Sequence, residues 1–250
     1  MQNVTVRRLS LLAFGAALAV GPTALVGCDA NVAPIEVQFG CPEMPLRGPE
    51  EFASVAPENV IDDFEDGDAR LTQIAGRAGS WVGVGSMGAT TAFEASDRCV
   101  ARGTHSGHLS STASQTYQAN FNAVMIDPFA DGQGWNAGAY SGFSFWIAMG
   151  ENQKAPYETP IGVTTVDTVA GGGVCSVPGG VCGDYYAIRP EKRIPLTHTW
   201  TRHVVRFDEL FQYGFGVPQV RPLNKDALVS LMIWPEPQFD IWLDDVRFEP

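Results

Sequence analysis

"FDIWLDDVRF", residues 239–248, sets two adjacent carboxylates, Asp244 and Asp245, inside an otherwise apolar run near the end of the chain. Its aromatic and β-branched residues read as a strand. An earlier stretch, "IDDFEDGD" at residues 61–68, echoes it and gathers Asp62, Asp63, Glu65, Asp66 and Asp68 around Phe64. Like charges so close together repel along what otherwise reads as the start of a strand, so something must offset that cost. The two acidic stretches are expected to belong together.

Strand signals fill the chain between them. "YSGFSFWIAM", "IGVTTVDTV", "TRHVVRF" and "LVSLMIW" are short, rich in β-branched and aromatic residues, and separated by Gly, Pro, Asn and Asp clusters. Only "FDELFQYGF", residues 207–215, offers a short helix. Many strands without intervening helices mean antiparallel sheets, hence a sandwich or barrel over Asn59–Pro250.

With 250 residues and 45% hydrophobic content, the chain can bury a proper core. Its 28 acidic residues against 16 basic ones give a net charge of −12, which argues against a nucleic-acid partner and is compatible with divalent cations or neutral ligands.

The first segment reads as an address. Arg7 and Arg8 precede an apolar core, Leu9 to Val20, too short to span a bilayer as a finished helix. The junction "ALVGC", Ala24 to Cys28, resembles the lipobox of bacterial lipoproteins. That resemblance implies a signal peptide over residues 1–27, a lipid on Cys28 and export to the cell envelope. Residues 28–58, with Pro34, Pro42, Pro45, Pro49 and Pro57, read as a Pro-rich tether. Five cysteines in an exported chain leave one odd, and lipidation of Cys28 removes it. Four cysteines allow three pairings. Cys175 and Cys182 flank the turn residues of "SVPGGV" and suit a local bridge, which leaves Cys41 for Cys99 and would staple the tether to the domain.

The order of "DDFEDGD", "GTHSGHLS" with "YSGFSFWI", "TWTRHVVRFDEL" and "FDIWLDDVRF" resembles the jelly-roll carbohydrate-binding modules with the galactose-binding-like fold. The resemblance covers Asn59–Pro250 and implies an all-β, two-sheet antiparallel sandwich. It also implies a structural calcium ion where the first and last strands meet, and a glycan or polysaccharide partner. Calcium takes hard oxygen ligands, which answers the opening charge problem. Alternation along the first strand puts Asp63 and Glu65 on one face, so the expected ligands are Asp63, Glu65 and Asp244, with carbonyls from the loop around Thr104 and Ser106. Asp66, Asp68 and Asp245 stand in reserve.

For the glycan, alternation in "GFSFWIAM" sets Phe143, Phe145 and Ile147 opposite Trp146. In "VSLMIW" it sets Val229, Leu231 and Ile233 opposite Trp234. Trp146 and Trp234 are then candidate stacking platforms, with Tyr186 as a further surface and Asp184, Arg202 and His203 as polar neighbours. Nothing points to an enzyme. "GVGSMG", residues 83–88, matches a dinucleotide fingerprint but opens no helix, and nucleophile-elbow, zinc-protease and Walker signatures are absent from the sequence. The alternative is a structural or protein-interaction domain of the envelope. A glycan module should expose the two tryptophans side by side, whereas the alternative should bury them.

Overall fold

A computed structural model describes residues 40–45, 56–74, 76–77, 79–84, 91–111, 123–127, 134–152, 157–169, 184–212, 222–233 and 239–250. The chain divides into Met1–Val37 and Gln38–Pro250, and every described residue belongs to the second unit. The signal peptide, Cys28, most of the tether, Cys175, Cys182 and Trp234 lie outside the described residues.

Strands dominate. In chain order they are β1 (Val60–Asp62), β2 (Ser80–Val84), β3 (Thr91–Ser96), β4 (Ser106–Ser111), β5 (Ala123–Asp127), β6 (Gly142–Met149) and β7 (Tyr157–Thr159). There follow β8 (Ile161–Thr165), β9 (Tyr186–Ile188), β10 (Ile194–Leu196), β11 (Thr201–Arg206), β12 (Leu210–Gln212), β13 (Leu228–Ile233) and β14 (Asp240–Glu249). One sheet runs β11-β6-β14-β4-β3, with β1 also on β14. A second runs β12-β9-β8-β13-β5-β2, and β10 pairs with β7 as a separate ribbon. The strands pair antiparallel.

The two large sheets face each other across one core. Phe143, Phe145 and Ile147 of β6 meet Ile161, Val163, Leu231 and Ile233 of the second sheet. This is the all-β sandwich that the strand pattern predicts. "FDELFQYGF" is no helix where it is described: Phe207–Glu209 form one 3-10 turn and Leu210–Gln212 a strand. Its apolar residues at 207, 210 and 211 imitate helical spacing, but Leu210 and Gln212 are buried by pairing with β9.

The closing strand carries the main irregularity. β14 pairs Asp244 with Trp146 but Arg247 with Ser144, so three steps on β14 answer two on β6. The extra residue is a β-bulge centred on Asp245, whose φ is 47°. It reverses the alternation: Ile241 and Leu243 face the core before the bulge, and Val246 and Phe248 face it after. Without that slip two charged residues, Asp245 and Arg247, would point inward. Asp245 is instead held by Arg102 at 3.1 Å and Arg247 at 2.8 Å. Beyond the bulge β1 takes the edge that β4 occupies earlier, with Asp62 opposite Val246. The two acidic stretches therefore meet in one sheet.

β13 departs from the simple pattern as well. Leu228 pairs with Thr165 and Ser230 with Thr164, so a second irregularity brings Leu228 into the core with Leu231 and Ile233, in place of Val229.

Cys41 is bonded to Cys99 across 58 positions. Beside it Glu43 forms a parallel bridge to Thr199, and its carbonyl accepts from Trp200 N at 2.9 Å. The Gly40–Pro45 piece of the segment read as tether is thus stapled to the first sheet.

Candidate functional site

The charge problem of "IDDFEDGD" is resolved by backbone amides. β1 ends at Asp62, and Phe64 takes a φ of 61°, which buries its ring against Trp81 and Phe93. Alternation therefore stops there. Asp62 Oδ1 accepts from Phe64 N, Asp63 from Glu65 N, Asp66 from Asp68 N and Asp68 from Arg70 N, a series in which each carboxylate caps the amide two residues on. Asp62 is the buried member, and its Oδ2 accepts from Trp81 Nε1 at 2.6 Å. Burial pushes its pKa up to about 8 despite these two donors.

One loop, between β3 and β4, serves both acidic stretches. Ala101 N and Arg102 N each donate to Asp244 Oδ2 at 2.8 Å. Thr104 N, Thr104 Oγ1 and His105 N donate to the Glu65 carboxylate at 2.8–3.1 Å. Gly103, at φ 73°, lets the loop pass Glu65; a Cβ there would lie 2.2 Å from Glu65 Oε1. Asp244 is fully buried, and its Oδ1 has no hydrogen-bond partner among the described residues. Burial pushes its pKa up to about 8, against the pull of the Arg102, Ala101 and Asp245 amides.

Glu65 and Asp244 reach one loop, but Glu65 spends both oxygens on its N–H and O–H donors, and only Asp244 Oδ1 is left as a buried oxygen that a hard cation could meet. Asp63 does not join them. Among the described residues no three acidic, His or Cys side chains converge as a metal-holding group, because the turn at Phe64 breaks the alternation that set Asp63 beside Glu65.

The face expected to carry the platform is closed. Trp146 does lie opposite Phe143, Phe145 and Ile147, but it is 2% exposed and packs in a second cluster with Trp200, Trp242, Ala148, Cys99 and Ala101. The β3–β4 loop, pinned by the disulfide, covers that face, so Trp146 is no stacking platform. Arg202, opposite Trp146 in register, donates to Ser144 Oγ at 2.9 Å and pairs with Glu249. It belongs to the first sheet. Tyr186 lies in β9 of the second and Asp184 just before it, so the expected ligand residues are not brought together. Tyr186 is 2% exposed and therefore not an open stacking surface, and Asp184 is buried with Oδ2 accepting from Gln212 Nε2 at 2.7 Å.

Among the described residues, a concavity lies at the edge of the second sheet. There β9, β12 and the 3-10 turn Phe207–Glu209 border a groove of about 880 Å³. Tyr186, Phe207, Leu210 and Phe211 give it an apolar wall, and Gln212, oriented by Asp184, adds an amide. Arg206 reaches the rim in a two-pronged ion pair with Asp208, at 3.0 and 3.2 Å. Phe211 points away from the core, alternating with Leu210 and Gln212, and is half-buried. A volume of this size, an aromatic ring and polar groups at the rim suit a small polar ligand with an apolar face. Sequence reasoning missed Phe211 because its segment imitates a helix; Tyr186 and Asp184 were legible but act as wall and support.

On the outer face of the first sheet, His108 stacks on Trp242 with ring centroids 4.1 Å apart. It bonds Asp240 through Nε2 at 2.7 Å and Glu94 through Nδ1 at 3.2 Å. Burial pulls the imidazole pKa down, but the bonds to Asp240 and Glu94 outweigh it and hold His108 above its ordinary value. A raised histidine stabilises the fold below its unfolded value near 6.5, and the contribution is lost as pH rises through the folded pKa. His108→Gln is therefore expected to cost about 1.5 kcal/mol at pH 6 and less at pH 8. Thermal melts of both proteins across that range check this; an equal cost at both pH values contradicts it.

No family model and no curated protein matches the sequence. Solved structures do. The family 11 carbohydrate-binding module of cellulosomal cellulase Lic26A-Cel5E of Clostridium thermocellum is 14% identical, with a TM-score of 0.52 over 79% of this chain and 96% of that one. The solution structure of CtCBM11, also 14% identical, gives 0.51 over 79% and 98%. At that identity the likeness establishes the fold: this chain has the β-sandwich of carbohydrate-binding modules, as the order of its motifs implies.

Proposed function

We propose that the protein binds a glycan without transforming it, and that the groove beside Phe211 is where it does so. The observation that carries this reading is the groove itself, with aromatic Phe207 and Phe211 in its lining and the Arg206–Asp208 ion pair at its rim, at the sheet edge of a sandwich shared with carbohydrate-binding modules. A pyranose presents a C–H face to an aromatic ring while its hydroxyls bond polar neighbours. Phe211 takes the stacking role, and the exposed Arg206 and Asp208 take the polar one.

The same proposal includes an envelope lipoprotein, exported and held by a lipid on Cys28. The "ALVGC" junction supports it, and so does the Cys41–Cys99 bond, since disulfides persist in oxidising compartments. A structural calcium held by Glu65 and Asp244 completes the proposal, supported by the partnerless buried oxygen of Asp244. When bound, the ion would neutralise a carboxylate that burial otherwise penalises.

A glycan-array screen of the full-length chain in detergent, alongside Phe211→Ala, tests the reading. The expected result is binding by the wild type that weakens about tenfold in Phe211→Ala, with the melting curve little changed. The second reading is a structural or protein-interaction domain of the envelope, and the burial of Trp146 favours it. Absence of binding to every glycan on the array would decide for it.

A further inference from the structure

A second, smaller groove of about 330 Å³ adjoins the first and shares Arg206, Asp208, Leu210 and Phe211 with it. Three cations line it, Arg189, Lys192 and Arg206, against two acids, Asp208 and Glu209. Two of the cations are committed: Lys192 pairs with Glu209 at 2.6 Å, and Arg206 with Asp208. Arg189 is not. Its guanidinium has no ion pair or side-chain hydrogen bond among the described residues and sits over the Phe211 ring, 5.0 Å from its centroid.

That placement matters chemically. A guanidinium held over an aromatic ring keeps N–H donors that can take a carboxylate or sulfate by two parallel hydrogen bonds. The charge left over at this spot is positive, on a chain whose net charge is −12. An anionic group is therefore favoured locally against the field of the rest of the protein.

We infer that the two grooves form one site for an acidic polysaccharide, in which a sugar ring packs against Phe211 beside the guanidinium of Arg189 and its anionic substituent is bound by Arg189. This rests on the glycan reading of the Phe211 groove and narrows it to a substrate class. The substituent is a uronate carboxylate or a sulfate ester; both present paired oxygens to a guanidinium.

Affinity electrophoresis of the full-length chain in detergent tests it. The polymers are polygalacturonate beside its methyl ester, and a sulfated galactan beside its desulfated form. The expected result is binding to one acidic polymer at least about tenfold tighter than to its neutral counterpart, shrinking as salt is raised. Arg189→Gln should bring that ratio close to one, and Arg189 is exposed, so the fold should survive. Preference within the first pair identifies a carboxylate, and within the second a sulfate. Neutral and acidic forms bound equally, or a preference undiminished in Arg189→Gln, would overturn the inference and leave the glycan reading standing. No binding to any of the four polymers, together with no binding on the array, would overturn both.

Discussion

Trp146→Ala is expected to destabilise the domain by about 3–5 kcal/mol, the usual cost of removing a large buried aromatic side chain. In a domain of this size that lowers Tm by roughly 10 °C or more. The reason is the second cluster: Trp146 fills the space between Trp200, Trp242 and the loop pinned by Cys99. Its loss leaves a void that the disulfide and the flanking strands keep from collapsing. Below the variant's melting temperature, glycan binding should persist, because Trp146 lies on the first sheet, away from the β9–β12 edge. A change in stability under about 1 kcal/mol would mean that this face is open to solvent after all.

Asp244→Ala should cost about 2–4 kcal/mol, since it strands the amides of Ala101 and Arg102 in a buried loop. Asp244→Asn separates that role from the proposed metal. Both amides bond a single oxygen, Oδ2, so an Asn carbonyl can keep them, while the amide nitrogen replaces the partnerless Oδ1. In EDTA the Asn variant is expected to melt at or above the wild-type temperature, because no buried charge remains uncompensated. In calcium the wild type should gain stability and neither variant should. A calcium response retained by Asp244→Asn would remove Asp244 from any cation site; a wild type indifferent to calcium would end the calcium proposal.

The fold was legible because strand alternation and strand order report the core directly. Phe143, Phe145 and Ile147 face inward as their spacing requires, and the two acidic stretches meet because β1 and β14 are neighbours. What the sequence concealed lies at breaks in alternation. The bulge at Asp245 and the left-handed Phe64 each reset which side a residue faces, and the second of these separates Asp63 from Glu65. The apolar spacing 241, 243, 246, 248 does carry the signature of the bulge, since a regular strand would keep odd positions inward throughout. Trp146 was harder. Alternation states that it faces away from the core but not that a disulfide-pinned loop covers that side. Phe211 was hidden by a spacing shared between one turn of helix and a turn followed by a strand.

The central claim is that a glycan lies on the second sheet's edge at Phe211. A crystal structure of the protein with its tightest-binding oligosaccharide tests this most directly. The account predicts a sugar ring within about 4 Å of the Phe211 side chain, with hydroxyls on the Arg206–Asp208 pair. A sugar seated on another surface, with the Phe211 groove filled only by solvent, would contradict it.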